Sequence, residues 1–257
     1  MTGPISRSAD HMYTYEGQVY RGVTGVLDVV DKSGPLMHWA AKQTAEAAVD
    51  MAIAGGGLET LLATVGREGT IQALTLRKNW KKDEAAKLGT EVHRLADLVV
   101  RGEPTPPMDA VTRTRVLGYA AWWKASGWTL RLSEAMLVNP TCGYGGTLDL
   151  LCYDADGRTV LADIKTGGKW GRKAYETEIL QLTAYAGAEL IQPAVENLLI
   201  HEQKVYPMPK VDRHVILHVA AEGVHDIDVS VGTHEWMAWI ACLDLAGWRD
   251  SVKGKRL

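Results

Sequence analysis

The sequence predicts a mixed α/β protein with a helical N-terminal half, and three observations carry that expectation. Up to residue 126, apolar residues recur at helical spacing in Ala-rich segments punctuated by Gly and Pro. From Gly127 the texture changes to alternation and apolar runs that read as three consecutive strands. A helical stretch and another strand-like stretch follow, an order that packs helices onto or beside a sheet.

Residues 11–21 read as a hairpin around Glu16-Gly17. Pro35 opens a helix to about Ile53, and Gly55-Gly56-Gly57 stops it. Residues 58–65 and 70–80 read as further helices. Residues 83–101 form a stronger one, with Asp83 as N-cap and Ala86, Val92, Leu95, Ala96 and Val99 as its apolar stripe. Pro104, Pro106 and Pro107 end that segment before a helix at about 109–126. Strands are expected at 128–138, 146–153 and 159–165, the last two joined by an Asp156-Gly157 turn. A helix at about 174–191 closes at Pro193, and a strand follows at 195–205. Residues 213–220 and 224–230 read as a hairpin around Glu222-Gly223. A Trp-rich helix from Thr233 and a basic stretch, Lys253 to Arg256, finish the chain.

Composition narrows the function classes. The 257 residues are 46% hydrophobic and 23% charged, which excludes wholesale disorder. A net charge of −3 gives no global positive field, so any polyanion site is a local patch. Three cysteines, Cys142, Cys152 and Cys242, are too few and scattered for a disulfide framework or a four-thiolate metal site and fit a reducing cytosol. Without a signal-like segment or an apolar run of membrane length, a soluble cytoplasmic protein with no membrane partner is expected.

The chemistry concentrates in Gly146-Thr147-Leu148-Asp149 and Asp163-Ile164-Lys165. Asp163 and Lys165 are two apart on a strand and share one face. In so apolar a strand, the carboxylate and ammonium need each other or a ligand. Across the hairpin Asp149 reaches the same end of the sheet, and two converging carboxylates repel unless a cation sits between them. Such an oxygen-rich site suits Mg²⁺ or Mn²⁺. From spacing alone, a cross-strand salt bridge without chemistry fits as well.

These residues resemble the core of the PD-(D/E)xK nucleases. Gly89-Thr-Glu-Val-His93 resembles the helical Gly-x-x-x-His element of the RecB-type exonuclease branch, and Gln181-x-x-x-Tyr185 resembles its Gln-x-x-x-Tyr element. Glu134 stands where these enzymes often carry a Glu on the first core strand. Val23-Thr-Gly-Val-Leu27 and the Trp39 helix are similar to the start of phage-encoded members. The resemblance implies a restriction-endonuclease-like core, a mixed sheet flanked by helices, at 83–205 of a single nuclease domain. Residues 1–82 would form a mainly helical N-terminal portion, and 206–257 a C-terminal hairpin and helix.

For the site, the resemblance implies one or two Mg²⁺ or Mn²⁺ ions on His93, Asp149, Asp163 and the Ile164 carbonyl. Lys165 would orient or deprotonate the attacking water, with Asp149 and Asp163 catalytic through the metal. Glu134 is either a further acidic group of the site or an exposed strand residue. Gln181 and Tyr185 share a helix face and would contact the DNA backbone or brace the Lys165 strand, and Glu178 could join them. In the loop from Lys165 to Lys173 there are four basic residues and no acids. Lys169, Arg172 and Lys173 there suit phosphates, and Trp170 suits a base. A second cluster, Arg77-Lys78-Asn79-Trp80-Lys81-Lys82, fits single strands, duplex ends or a solvated helix end equally well.

The implied activity is metal-dependent exonucleolytic hydrolysis of DNA in phage or bacterial recombination, repair or replication, in the host cytoplasm if phage-encoded. The partner would be linear DNA ends, with a strand-annealing or single-strand-binding protein beside it. Oligomeric state stays open. Three cysteines cannot hold the iron–sulfur cluster of some relatives, and no phosphate-binding loop for ATP occurs. A DNA-binding accessory protein with little cleavage and a restriction-type endonuclease are the alternatives.

Overall fold

A computed structural model describes residues 4–31, 33–194 and 204–253. The protein is mixed α/β, a mixed sheet with helices. It divides into two compact units, Met1–Val30 with Glu91–Leu257, and Asp31–Thr90. The first 30 residues thus go with the sheet instead of with a helical portion at 1–82. No single helix among the described residues is long and apolar enough to cross a membrane.

In the sheet-bearing unit, β1 (Ser6–Arg7), β2 (Tyr13–Tyr15) and β3 (Gln18–Gly22) form an antiparallel ribbon, with the expected turn at Glu16-Gly17. A short helix, α1 (Val23–Val26), and a helical turn at Leu27–Val29 follow. Helix α4 (Ala110–Ser126) starts at Asp109, whose carboxylate accepts the N–H groups of Val111 and Thr112, and ends at Gly127. It leads into β4 (Thr129–Asn139), β5 (Tyr144–Tyr153) and β6 (Thr159–Lys165), the three consecutive strands expected. Helix α5 (Glu176–Ala186) is shorter than the 174–191 expected. Gly187 ends it, and Leu190–Gln192 becomes a short strand, β7, paired with β4. Residues 195–203 of the expected 195–205 strand lie outside the described residues; β8 (Tyr206–Pro207) pairs with β7. The hairpin of β9 (Arg213–Ala220) and β10 (Gly223–Val229) and helix α6 (Thr233–Lys253) complete the unit.

Strand β5 organises the sheet. Antiparallel β4 covers one of its edges from Tyr144 to Tyr153. The other edge is shared. There β3 pairs in parallel with Tyr144 and Gly145, while β6 pairs antiparallel with Leu150 to Tyr153. Gly146 to Asp149 lie in the fork between them. Strand β9 then adds in parallel to β6, so the C-terminal hairpin is built into the sheet. Leu137, Leu148, Leu151, Leu161, Leu182, Ile216 and Trp239 are buried in one cluster beneath this arrangement. Each such side chain contributes roughly 1.5–3 kcal/mol by leaving water, which fixes the strands that frame the fork.

The second unit is helical. Helix α2 (Ser33–Ile53) is as expected, and α3 (Gly57–Val100) is interrupted at Gly66, so the helix expected at 58–65 stands apart while those expected at 70–80 and 83–101 run together. Gly66 stands at φ 70°, a conformation that favours glycine. From residue 67 to 100 the sequence holds no proline, and its Ala, Leu, Lys and Glu residues are strong helix formers. Asp83 therefore lies inside the helix and is no N-cap. The final residues of α3, from Glu91, belong to the sheet-bearing unit and bring His93 to it.

Candidate active site

The fork in the sheet collects the charged residues. Asp149, in the gap of β5, points its carboxylate across to β6, where Oδ2 accepts the Ile164 N–H at 2.6 Å. That bond takes the place of a ladder bond beyond the Leu150–Ala162 pair. His93 approaches from the end of α3, with Nδ1 3.5 Å from the same oxygen. Glu134 lies on β4 between the pairs Ser133–Leu150 and Ala135–Leu148, which sets it opposite Asp149. Its φ of 49° is left-handed, uncommon for a non-glycine residue. Such a local distortion costs on the order of 1–3 kcal/mol and concentrates at functional sites. One donor atom from each of His93, Glu134 and Asp149 lies within 4.8 Å of the others.

Asp163 is 1% exposed and forms a close ion pair with Lys165. Apart from that ammonium, neither of its carboxylate oxygens has a hydrogen-bond partner among the described residues. Lys165 also donates to Gln181 Oε1 at 3.3 Å, and Gln181 Nε2 donates to the Tyr185 hydroxyl at 2.9 Å. Gln181 and Tyr185 thus brace the lysine. Tyr185 is buried, which removes it from the expected DNA contacts. A Cβ at Gly146 would stand 2.6 Å from the Tyr185 ring, so the glycine before Thr147 makes room for this brace.

The electrostatics follow from burial and crowding. Burial, and then the Asp149 charge, push the Glu134 carboxyl up to about 7. Burial also raises Asp163, to about 6, with Lys165 opposing it. Burial acts on Asp149 in the same sense, but His93, Lys165 and the Ile164 N–H outweigh it, and its pKa is lowered. Burial disfavours the charged forms of His93 and Lys165; the carboxylates outweigh it and both pKa values rise. The protein thus concentrates carboxylates whose repulsion a divalent cation would relieve. An imidazole and two carboxylates fit Mg²⁺ or Mn²⁺. In this geometry Glu134 takes the place beside His93 and Asp149 that the resemblance implies for Asp163, whose carboxylate turns to Lys165.

The loop after β6 departs from expectation. Arg172 is no phosphate ligand, because every guanidinium nitrogen is engaged. Its Nη1 and Nη2 donate to the two Glu178 oxygens at 2.8 and 2.7 Å, Nε donates to Gly167 O, and Nη1 also donates to Lys173 O. Glu178 further accepts the Tyr175 N–H, so it caps α5 and does not join the acidic group. Trp170 leans on the His218 and His225 rings, with centroids 6.1 and 5.8 Å away, and remains 39% exposed. Lys169 and Lys173 are exposed.

Sequence reasoning missed the N-terminal ribbon's part in the site. The Tyr13 hydroxyl and Thr147 Oγ1 are 2.9 Å apart, and Tyr13 fills the space a Cβ on Gly145 would need. Only the glycine pair Gly145-Gly146, packed against two tyrosines, hinted at a close approach.

No family model matches the chain, and no curated protein matches it. Among solved structures it is similar to one described as "Crystal structure of SSO0001", at 10% identity and a TM-score of 0.31. That match covers 52% of this chain and 58% of the other, so the chain spans little more than half of that protein's length. So loose a likeness does not bear on function.

Proposed function

We propose that the protein is a metal-dependent deoxyribonuclease with a restriction-endonuclease-like core, acting as an exonuclease in phage or bacterial DNA recombination, repair or replication. One observation carries the reading: His93, Glu134 and Asp149 converge in the fork of β5, with the Asp163–Lys165 pair on the adjoining strand. A divalent cation on His93, Glu134 and Asp149 would supply Lewis-acid charge at the phosphate and a more acidic water. Asp163 and Gln181 hold the Lys165 ammonium in place, and their partner stays charged despite burial. A fixed positive charge there stabilises the negative charge that develops on the phosphate oxygens during in-line attack. Exonuclease rather than endonuclease rests on the resemblance at His93, Gln181 and Tyr185.

The test is cleavage of end-labelled linear and of closed circular DNA with Mg²⁺, Mn²⁺ or EDTA, by the natural chain and Asp163→Ala. Metal-dependent loss of linear DNA that spares circles and vanishes in the variant is expected. Nicked circles would make the enzyme an endonuclease. Binding without cleavage would leave an accessory protein, and equal cleavage by the variant would place the active site elsewhere.

A further inference from the structure

We propose that the helical unit carries its own single-stranded DNA-binding face, on α3 around Trp80. The inference rests on the nuclease reading for the class of its ligand. Trp80 is 75% exposed, although a tryptophan loses most by facing water. It lies between Arg77 and Lys81 in sequence, and Lys87 is two turns further on. Positions 77, 80, 81, 84 and 87 fall at helical spacing on one face. With Asp83 they line an open cavity of about 560 Å³. Arg77 to Lys87 extends about 15 Å along the helix axis, room for a short run of nucleotides.

Charge separates the possible occupants. From Arg77 to Lys87 the helix carries five basic residues against Asp83 and Glu84. Glu84 is already paired with Lys81 at 3.2 Å. The cores of protein interfaces are depleted in lysine, whereas an aromatic face flanked by Lys and Arg matches a single strand, with a base on the ring and phosphates on the cations. Within a duplex the bases stack on one another, and only a terminal pair offers the indole a free face, whereas a single strand offers one at every base.

The experiment uses the full chain with cleavage disabled by Asp149→Asn. Binding of a fluorescein-labelled 20-nucleotide oligo-dT is followed by anisotropy across a range of NaCl. Trp80→Ala in that background is expected to weaken binding about tenfold, while Trp80→Tyr, which keeps a stacking face, restores most of it. Lys81→Gln with Lys87→Gln is expected to lower the slope of log affinity against log salt by between one and two. Equal affinity of the alanine and tyrosine variants, an unchanged salt slope, or a matched duplex bound as tightly as oligo-dT would overturn the proposal. Hydrolysis of bis(p-nitrophenyl) phosphate, too small to span the α3 face, is measured on Trp80→Ala with Asp149 intact. Equal hydrolysis by Trp80→Ala and the natural chain is expected; loss in Trp80→Ala alone would overturn a separate binding face, and no hydrolysis by either would sink the nuclease reading without touching the oligo-dT result.

Discussion

The two ends of β6 carry the same residue types and put them to opposite use. At the hairpin end, Asp154 accepts the backbone N–H groups of Asp156 and Arg158 and the Arg158 guanidinium. Arg213 binds both Asp228 oxygens there, at 2.6 and 2.9 Å. These carboxylates are satisfied, and the pKa values of Asp154 and Asp228 fall. At the fork end, three potential ligands converge, and burial with its neighbouring charges pushes Glu134 and Asp163 up. An acid that the fold has paired is scaffold; acids gathered with too few donors await something else.

Breaking the most completely satisfied pair should cost most. Arg172→Ala leaves Glu178 buried without its partner, so urea unfolding should show a loss of about 3–5 kcal/mol. Lys165→Ala should cut DNA hydrolysis about 10²–10³-fold, measured at saturating metal, because it removes a fixed charge from the fork. Glu134→Gln should weaken Mn²⁺ binding about 10–100-fold by calorimetry. At the hairpin end, Asp154→Ala should cost about 1–3 kcal/mol in stability and leave Mn²⁺ affinity unchanged. A matching loss of Mn²⁺ affinity would erase the contrast.

The smallest effect is on pH dependence. In EDTA, Glu134 in the folded chain holds its proton more tightly than in the unfolded chain, with a pKa of about 7 against 4.5. Its contribution to stability is fully present below 4.5 and lost as pH rises through about 7. Asp154 and Asp228 act in the other sense, stabilising above their ordinary 3.8 and losing that as pH falls below it. Urea midpoints for Glu134→Gln between pH 5 and 8 should therefore be flatter than those of the natural chain.

Much of the fork was legible because it is local. Alternation placed β6, the two-residue spacing put Asp163 and Lys165 on one face, and the i,i+4 spacing joined Gln181 to Tyr185. What escaped depends on long-range pairing. Nothing near Tyr13 announces that its ribbon docks on β5 beside Thr147. Glu134 looked undecided because its strand breaks locally there, which alternation cannot reveal. Arg172 read as a phosphate ligand because a basic loop shows its charges and hides the glutamate six residues on. Periodicity alone divides α3 near residue 82, where the helix runs on, because a polar helix interior resembles a boundary.

The central claim is that the fork, and not the hairpin end, binds a divalent cation. Electron paramagnetic resonance of Mn²⁺ titrated into the full chain tests it most directly, with Asp149→Asn and Asp154→Asn in parallel. The account predicts tightly bound Mn²⁺ in the natural chain and in Asp154→Asn, and its loss in Asp149→Asn. Equal binding by all three, or loss only in Asp154→Asn, would contradict it.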